Sequence, residues 1–428
     1  MPGPSAARAV VALAQSLTRL KRHRLARAVL DAALKVSPRN AALLREHVAQ
    51  AARARDVRAI ASAYQRLLAA CPEDEDARRN AVTAALLDGQ VESARGALRG
   101  SSLATTMRVV TESLMDPQRA QREGAYLSVL ENVDVETADW TVLDGEKVYN
   151  AEAHCRTLLK NGWVRGRASP DRTTLLFDLP AACRTIEEPC VHLGGDHNYA
   201  HWIQRNLLKL ALLEGTPYDN LPLLVNDDLT QYQRAYLEML GIPETRLIRL
   251  ERPALVRCRK LVVPTTLVYS AKLPLGIEWM RRRLAAWIDP GPPRDLVFLS
   301  RADAGVRRLL NEEALLQPLR ALGFEVIVPG RLSVAEQIRA VSRARIIVGA
   351  HGAAFANLVF AHPGAAVIEI NSTQKAHMSD FTVLAKAAGL RSQLVLSDDY
   401  DAIGAMKYLP DADFRVDVEA VLKAVSSA

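Results

Sequence analysis

The sequence has few cysteines, few aromatic residues and no long apolar run. It contains five cysteines in 428 residues, an odd number without Cys-x-x-Cys spacing: Cys71, Cys155, Cys183, Cys190 and Cys258. This pattern suggests neither a disulfide framework nor a zinc site, so a reducing cytoplasm is the simplest location. No window reaches the roughly 18 apolar residues of a spanning helix, and the N-terminus lacks the apolar core of a signal peptide. Contact with the inner face of a membrane would then be peripheral.

The chain also lacks any block of like charge. Its net charge is +7 at pH 7, with basic residues spread along the length and no zinc-finger spacing or basic stripe with interleaved aromatic residues. Nucleic acid is therefore excluded as the expected partner. Arginine far outnumbers lysine, which suits bidentate binding of small anionic ligands but also fits a merely arginine-rich proteome.

Residues 1–105 are rich in Ala, Leu and Arg with helical periodicity, and they repeat. The stretch 22–40 aligns with 56–74 at a constant shift, which places Pro38 on Pro72, and 90–100 is a partial third copy. The shift matches the length of a tetratricopeptide repeat, a pair of helices in about 34 residues. Plain antiparallel helices with coincidental spacing are the alternative. In either case we expect a helical surface that holds a protein partner or an acceptor.

The rest of the chain predicts an α/β fold in two halves. After a connecting segment, 106–165, short apolar runs alternate with helical stretches, which is typical of parallel strands joined by helices. The clearest linker is "DPGPPRD", 289–295. We therefore predict one Rossmann-like half over 166–289 and a second over 290–428, with a site facing the carboxyl ends of both sheets.

In the second half, "VGAHGAAFANLVFAHPGAAVIEI", 348–370, predicts a buried strand, a glycine turn, a helix and a second strand ending at Glu369. We expect Gly349 and Gly352 to adopt backbone angles closed to other residues. A helix N-terminus at the carboxyl end of a strand would then bind phosphate. A plain glycine turn with a buried His351 is the competing interpretation.

Arginines follow another predicted strand of the same half, in "SRADAGVRRLLNEEAL", 300–315. Arg301 would lie at the strand end, where its planar fork could hold a pyrophosphate, and Arg307 and Arg308 follow in the loop. Asn311 has the position of a helix N-cap. The alternative is that Arg301 forms a salt bridge at a helix end while Arg307 and Arg308 are solvated.

Several titratable groups lie close to a predicted helix start in the first half, in the stretch "VHLGGDHNYAHWIQRNLLKL", 191–210. Asp196, His197 and His201 follow the Gly194-Gly195 pair within a few residues. Such groups at a strand end are candidates for acid–base catalysis. Roles as helix-cap or core residues, and metal binding in a pattern that is not a standard zinc motif, remain alternatives.

Three of these stretches, "NYAHWI" (198–203), "SRADAGVRRLLNE" (300–312) and 348–370, resemble family 61 glycosyltransferases in this order. The family includes bacterial capsular polysaccharide proteins, plant xylosyl- and arabinosyltransferases, and O-GlcNAc transferases of the endoplasmic reticulum. The resemblance covers roughly residues 165 to 425.

The resemblance implies a GT-B-like pair of Rossmann-like domains and an inverting transfer from a nucleotide sugar, which is a substrate, so that no cofactor is expected. The acceptor would be a glycan, a lipid-linked molecule or a protein, in bacterial surface polysaccharide or glycoconjugate synthesis. The second half would bind the donor and its diphosphate, with these residues as candidates: Arg301, Arg307, Gly349, His351, Gly352, Ala353, Asn357 and Glu369.

One position departs from the family pattern. Four residues after the histidine of "NYAHWI" the family usually has an acidic residue, and this sequence has Arg205. Asp196, His197 or His201 could serve as the base instead, or transfer could be lost in a nucleotide-sugar-binding scaffold. We expect no metal, because arginines and a helix N-terminus can stabilise the departing diphosphate.

Overall fold

Contacts divide the chain into two units. The computed structural model describes residues 4–99, 101–105, 107–110, 112–113, 125–145, 147–150, 166–171, 174–180, 182–268, 270–373, 380–397 and 412–428. The first unit comprises Met1–Met115, Asn132–Ile186 and Pro253–Arg257, and the second comprises Asp116–Glu131, Glu187–Arg252 and Cys258–Ala428. The domain boundaries inferred from the sequence stay predictions.

The first unit begins with the helical segment expected from the sequence. Its helices are α1 (Pro4–Arg19), α2 (His23–Val36), α3 (Ala41–Arg53), α4 (Val57–Ala70), α5 (Glu75–Leu87) and α6 (Val91–Leu98). The starts of α2 and α4, of α3 and α5, and of α4 and α6 are separated by the same distance along the chain, the shift found between the sequence copies. The repeat length seen in the sequence is therefore the spacing between the first residues of equivalent helices.

Capping residues recur at the same place in this helical period. The Asn40 side chain accepts a hydrogen bond from the backbone N–H of Leu43 at 3.2 Å, and Asp74, one period later, accepts one from Ala77 at 2.9 Å. A side-chain oxygen at the N-cap satisfies a backbone donor that the first helical turn leaves unpaired. The repeated sequence signal thus specifies where α3 and α5 begin.

Eight strands follow the helices: β1 (Met107–Val110), β2 (Glu112–Ser113), β3 (Leu127–Glu136), β4 (Thr141–Asp144), β5 (Lys147–Asn150), β6 (Gly166–Ala168), β7 (Leu175–Asp178) and β8 (Ala182–Ile186). Strand β7 lies between β1 and β6 and is antiparallel to both. Strand β4 pairs antiparallel with β3 and β5. Residues 116–124 of the predicted connecting segment, and Cys155, lie outside the described residues.

The second unit contains two arrangements of parallel strands, the first of which is part of a larger mixed sheet. The first has β9 (Cys190–His192), β10 (Leu223–Asn226), β11 (Leu247–Leu250) and β12 (Leu255–Pro264) in the order β11-β10-β9-β12. Its helices are the segment 199–212, called α7, and α8 (Gln231–Met239) and α9 (Leu273–Arg283). The apolar runs of the sequence predicted these strands, because parallel strands covered on both faces are apolar along their length.

The second sheet has β13 (Asp295–Leu299), β14 (Phe324–Ile327), β15 (Ala344–Ala350), β16 (Ala366–Ser372) and β17 (Arg391–Ser397), in the order β14-β13-β15-β16-β17. Its helices are α10 (Glu312–Ala321), α11 (Val334–Arg343), a 3₁₀ helix at Ala353–Phe360, α12 (Asp380–Ala387) and α13 (Val418–Ser426). Strand β16 continues to Ser372, beyond Glu369, where the sequence analysis ended it. Its pairing with β17 along its whole length explains the extension.

Shorter 3₁₀ segments occur at Ser102–Thr105, Glu244–Arg246, Ala285–Trp287 and Pro329–Arg331.

The two parallel-sheet halves of the second unit share one hydrophobic core. Trp202 and Tyr236 from the first half and Phe355 and Phe360 from the second are buried in the same cluster. The rings of Tyr236 and Phe360 stack with centroids 6.5 Å apart. The structure confirms a mixed α/β chain preceded by helices, and no helix in its described part is long and apolar enough to cross a membrane.

Candidate functional site

The second sheet of the second unit reverses its strand order between β13 and β15. Strand β14 lies on one side of β13 and the later strands lie on the other. In open α/β sheets ligands bind outside the carboxyl ends of the strands at such a reversal. Arg301 follows β13, and His351 and Gly352 follow β15. The topology thus brings two of the predicted motifs to one edge of the sheet.

Gly349 and Gly352 are required for space and not for unusual backbone angles, which corrects the expectation from the sequence. Gly352 has an extended backbone, φ −176° and ψ 169°. A Cβ atom on Gly352 would lie 1.7 Å from Nη1 of Arg301, and one on Gly349 would lie 2.9 Å from the carbonyl oxygen of Leu299. Gly352 therefore makes room for a guanidinium group, and Gly349 allows close packing of two strands.

The Arg301 side chain is a largely buried cation, and not all of its N–H groups donate a hydrogen bond. Its Nη2 donates to the carbonyl oxygen of Val306 at 3.0 Å, whereas its Nε is buried without a hydrogen-bond partner among the described residues. Burial, and next the positive charge of Arg307, lower the pKa of Arg301. A buried cation beside a like charge is stabilised by an anion that accepts its remaining hydrogen bonds. The position fits a phosphate group.

The other polar residues of this loop have different surroundings. Arg307 has a left-handed backbone, φ 56°. Arg308 binds Asp413 through Nε at 2.9 Å and Nη2 at 2.7 Å, so it is not simply solvated as the alternative interpretation held. Asn311 stands just before α10 but its side chain does not cap the helix, because its amide exchanges hydrogen bonds with the backbone of Val416 at 2.8 and 3.0 Å.

His351 and Glu369 form a buried pair. Nδ1 of His351 is hydrogen-bonded to Oε1 of Glu369, and the two residues are 5% and 6% exposed. The His351 ring also contacts Phe381, with centroids 5.1 Å apart. The sequence analysis expected His351 to face the cleft and Glu369 to accept ribose hydroxyls. The structure instead places both side chains inside, where the carboxylate is engaged by the imidazole.

A cavity of about 550 Å³ lies beside Arg301. Its wall includes Tyr199 and Tyr232 from the first half, and Arg301, Asp303, Ser333 and Ala353 from the second. The cavity is large enough for part of a nucleotide sugar and is lined by both halves. Of the predicted donor residues, Arg301 and Ala353 line it directly. Those not among its lining residues are Arg307, Gly349, His351, Gly352, Asn357 and Glu369.

Sequence reasoning missed several cavity residues. Asp303 and Ser333 were not singled out, although Asp303 is close to Arg301 in the chain and its Oδ2 accepts from the backbone N–H of Gly330 at 3.1 Å. Gly330 lies shortly after the apolar run of β14 in the sequence. A strand followed by Pro-Gly-Arg is a signal that could have indicated a third loop at the same sheet edge, since neighbouring parallel strands end together.

A buried hydrogen-bond chain joins the two halves beside the cavity. The Tyr199 hydroxyl donates to Oδ1 of Asn357 at 2.8 Å and lies 3.0 Å from the Tyr236 hydroxyl. Nδ2 of Asn357 donates to Oε1 of Gln337 at 2.9 Å. Burial raises the pKa of both tyrosines, so both hydroxyls stay protonated. Asn357, predicted to contact the donor, has its amide committed to this chain.

Asp196 and His201 form a second pair, in the turn after β9. Nδ1 of His201 and Oδ2 of Asp196 are 2.6 Å apart, and the side chains are 26% and 27% exposed. Burial by itself raises the pKa of Asp196. The hydrogen bond and charge of His201, with contributions from the Asn198 N–H and Arg205, outweigh it and lower that pKa overall. Asp196 is therefore ionised and holds the imidazole in one orientation.

Helix α7 is irregular at this point. It begins as an α-helix at Tyr199–His201, continues as a π-helix at Trp202–Leu207 and ends as a 3₁₀ helix at Leu208–Leu212. Arg205 lies within the π-helical turn and is 8% exposed. A π-helical turn changes the direction of side chains along a helix and is frequent at functional sites. The residue that departs from the family pattern is thus buried near the Asp196–His201 pair.

His197 is held apart from that pair. Its Nε2 lies 3.1 Å from Oδ1 of Asp228 and 3.1 Å from Nδ2 of Asn226, and its side chain is 41% exposed. The three titratable residues that the sequence crowded together therefore separate into a pair and a single histidine with other partners.

Metal independence stays a prediction. In the part of the chain that the structure describes, no group of three or more His, Cys, Asp or Glu side chains could hold a metal ion. The second half also carries two Asp-x-Asp triplets, at 399–401 and 411–413. Only Asp413 of these is described, and its carboxylate binds Arg308.

Comparison with known families agrees with this geometry. A family model described as Glycosyltransferase 61 matches residues 199–368, which contain Tyr199, His201, Arg301 and the turn after β15. The matched segment is similar to this family and supports glycosyl transfer as the general activity, with a sugar donor and a glycan acceptor. No curated protein matches the chain.

Proposed function

We propose that the protein is an inverting glycosyltransferase that moves a hexosyl or pentosyl group from a nucleotide sugar to an acceptor hydroxyl. The two parallel-sheet halves of the second unit would form a GT-B-like pair, with the donor bound at the switch between β13 and β15. The observation that carries the proposal is the Arg301 guanidinium over Gly352, at the wall of a cavity that both halves line.

In this proposal the second half holds the diphosphate of the donor. When the bond between the anomeric carbon and the diphosphate oxygen breaks, negative charge develops on the leaving oxygens. Arg301 would stabilise that charge with its unpaired Nε and remaining guanidinium N–H groups, in a site partly shielded from water. A positioned cation of this kind replaces a metal ion, so that transfer needs none.

The first half would supply the base. Asp196 accepts a hydrogen bond from Nδ1–H of His201, which leaves Nε2 of the imidazole as the basic nitrogen. Nε2 would take the proton of the acceptor hydroxyl while the hydroxyl oxygen forms its bond to the anomeric carbon. The proton, the new bond and the departing diphosphate are then all accounted for.

The helical segment would bind a partner protein or the acceptor. Its regular period of helix starts supports tetratricopeptide-like repeats, which stack into extended binding surfaces. Together with the resemblance to capsular polysaccharide proteins, this supports a bacterial role in surface polysaccharide or glycoconjugate synthesis. The protein would act in the cytoplasm, at the inner face of the membrane.

A panel of nucleotide sugars tests the proposed function. We expect one donor to bind by calorimetry, and to be hydrolysed or transferred with inversion at the anomeric carbon. EDTA should leave the rate unchanged. Loss of activity in EDTA with recovery in manganese or magnesium would contradict the role given to Arg301, and the absence of binding by every nucleotide sugar would contradict the proposal as a whole.

A second candidate function is a nucleotide-sugar-binding scaffold without transfer activity. Arg205, at the usual acidic position of the family, favours it. The same panel separates the two candidates, because a scaffold binds a donor but neither hydrolyses nor transfers it. In that case His201→Ala would change nothing that the panel measures.

A further inference from the structure

A second cavity lies in the first unit and is lined by none of the residues assigned above. Its volume is about 450 Å³. It is bounded by the end of helix α6, by strands β1, β3 and β4, and by the start of β12, which belongs to the first unit up to Arg257. Four arginines line it: Arg95, Arg99, Arg108 and Arg257. Three of them precede the segment matched by the family model, 199–368, and none has a part in the proposed transfer reaction.

Two of these arginines share one carboxylate. Arg108 donates from Nη1 to Oδ2 of Asp134 at 2.9 Å, and Arg257 donates from Nη2 to the same oxygen at 3.0 Å and from Nε to Oδ1. The Asp134 side chain is only 6% exposed. One buried negative charge thus holds two guanidinium groups close to each other, so this group of three side chains carries one net positive charge.

The other two arginines share a carboxylate that is mostly in solvent. Nη1 of Arg95 lies 2.6 Å from Oε1 of Glu92, whereas Nη2 of Arg99 lies 3.9 Å from Oε2. Glu92 and Arg99 are 73% and 75% exposed, so this pairing constrains Arg99 weakly. Four guanidinium groups from these two groups of side chains therefore line one cavity.

The base of the cavity strengthens the field of these charges. Four apolar lining side chains are nearly inaccessible to water: Leu98, Met107, Val109 and Leu143. Low-dielectric walls focus the potential of charges at the mouth of a cleft and weaken its screening by water. Asn132 adds an amide to the lining, at a residue with a left-handed backbone of φ 54°.

We propose that this cavity binds a phosphate group. A phosphate monoester carries a charge close to −2 at neutral pH, which several guanidinium groups lining one cavity can share. Planar guanidinium forks fit phosphate oxygens, and an anion would relieve the repulsion between Arg108 and Arg257. The phosphate could belong to a soluble phosphorylated molecule or to a lipid headgroup, and the two sources share this chemistry.

Calorimetric titration with inorganic phosphate and pyrophosphate tests the proposal. The full chain would carry Arg301→Ala, so that binding at the proposed donor site is weakened. We expect Arg108→Gln to weaken binding about tenfold, as for one charged hydrogen bond, and the exposed Arg99→Gln to weaken it about threefold. Arg45→Gln is the matched control, because Arg45 pairs with Asp74 outside the cavity and its loss changes the net charge equally.

The results of these binding experiments either support or contradict the proposed phosphate site. Absence of binding at millimolar phosphate or pyrophosphate, or equal binding by the Arg99, Arg108 and Arg45 variants, would overturn the proposal. If the Arg108→Gln variant does not fold, the proposal is tested by comparing phosphate binding of the Arg99→Gln and Arg45→Gln variants. Vesicles of phosphatidylcholine with and without phosphatidic acid identify the source, since arginine-dependent binding to the acidic vesicles points to a headgroup. Neither result depends on transferase activity.

Discussion

The two halves of the second unit carry a histidine–carboxylate pair after a central strand, and the two pairs differ in their access to solvent. After β9, Asp196 and His201 are each about one quarter exposed. After β15, His351 and its partner Glu369 are almost completely buried. Two histidine–carboxylate pairs near strand ends thus have different surroundings.

This difference in exposure suggests that the two turns have different functions. A base must meet its substrate, so the partly exposed Asp196–His201 pair suits proton transfer. The His351–Glu369 pair is enclosed and lies next to Gly352, over which the Arg301 guanidinium is placed. It suits the task of holding the shape of the turn that positions Arg301. In the proposed function, the first half would therefore carry out the chemistry and the second would bind the donor.

The largest effect that would test this division is on turnover. His201→Ala should lower the rate of transfer by roughly a hundredfold or more, the usual share of a positioned base, while donor affinity stays nearly unchanged. Steady-state kinetics and calorimetry on the same variant measure both. His197→Ala is the control, because His197 binds Asp228 and not Asp196. Unchanged turnover in the His201 variant would remove this residue from the mechanism and return Asp196 and His197 to consideration.

The next effect is on donor affinity. Arg301→Ala should weaken binding of the cognate nucleotide by about 1.5–3 kcal/mol, the range for a hydrogen bond to a charged group, which is about tenfold or more. Arg308→Ala, in the same loop, should bind normally because Arg308 is paired with Asp413. Calorimetric titration of the two variants compares them. Normal binding by the Arg301 variant would undo the phosphate assignment.

Two glycine substitutions sharpen the comparison within the second half. Gly352→Ala should displace the flexible guanidinium of Arg301 and weaken donor binding about as much as Arg301→Ala, with little loss of stability. Gly349→Ala should instead destabilise the fold by about 1–3 kcal/mol, because its Cβ meets the backbone oxygen of Leu299. Urea unfolding and calorimetry distinguish the two. Equal stability losses would mean that Gly352 serves packing alone.

The smallest expected effect concerns the Asp196–His201 pair and pH. The pKa of Asp196 is lower in the folded protein than its ordinary value. The pair therefore stabilises the fold above about pH 4, where the carboxyl is ionised in the unfolded chain, and this contribution is lost as pH falls through the lower native pKa. The stability difference between the wild type and Asp196→Asn in urea should shrink at acid pH. A difference that is constant down to about pH 3 would contradict it.

Much of the fold could be predicted from the sequence because its signals are local. The repeat period of the helices, the caps at Asn40 and Asp74 and the apolar runs of the parallel strands act within a few residues of where they occur. The Asp196–His201 pair was within reach for the same reason, since only five positions separate the two residues. Its role as the base stays a prediction.

Side-chain contacts between residues far apart in the sequence could not be predicted from local patterns. Tyr199 and Asn357 are 158 positions apart, and nothing near either residue indicates that they share a hydrogen bond. Glu369 seemed free to bind a ligand at the end of a strand, but β16 continues past it and turns its carboxylate toward His351. The cluster of Arg108 and Arg257 around Asp134 likewise joins residues more than a hundred positions apart.

The sequence by itself determined the helical period, the alternation of strands and helices, and which short stretches carry polar groups at strand ends. These properties follow from backbone propensity and hydrophobic pattern, which depend on neighbours along the chain. Only the tertiary structure decided that Gly352 makes room for Arg301, that His351 is enclosed while His201 is partly open, and that four arginines line one cavity. Burial and charge pairing depend on which distant segments pack together, and strand order sets that packing.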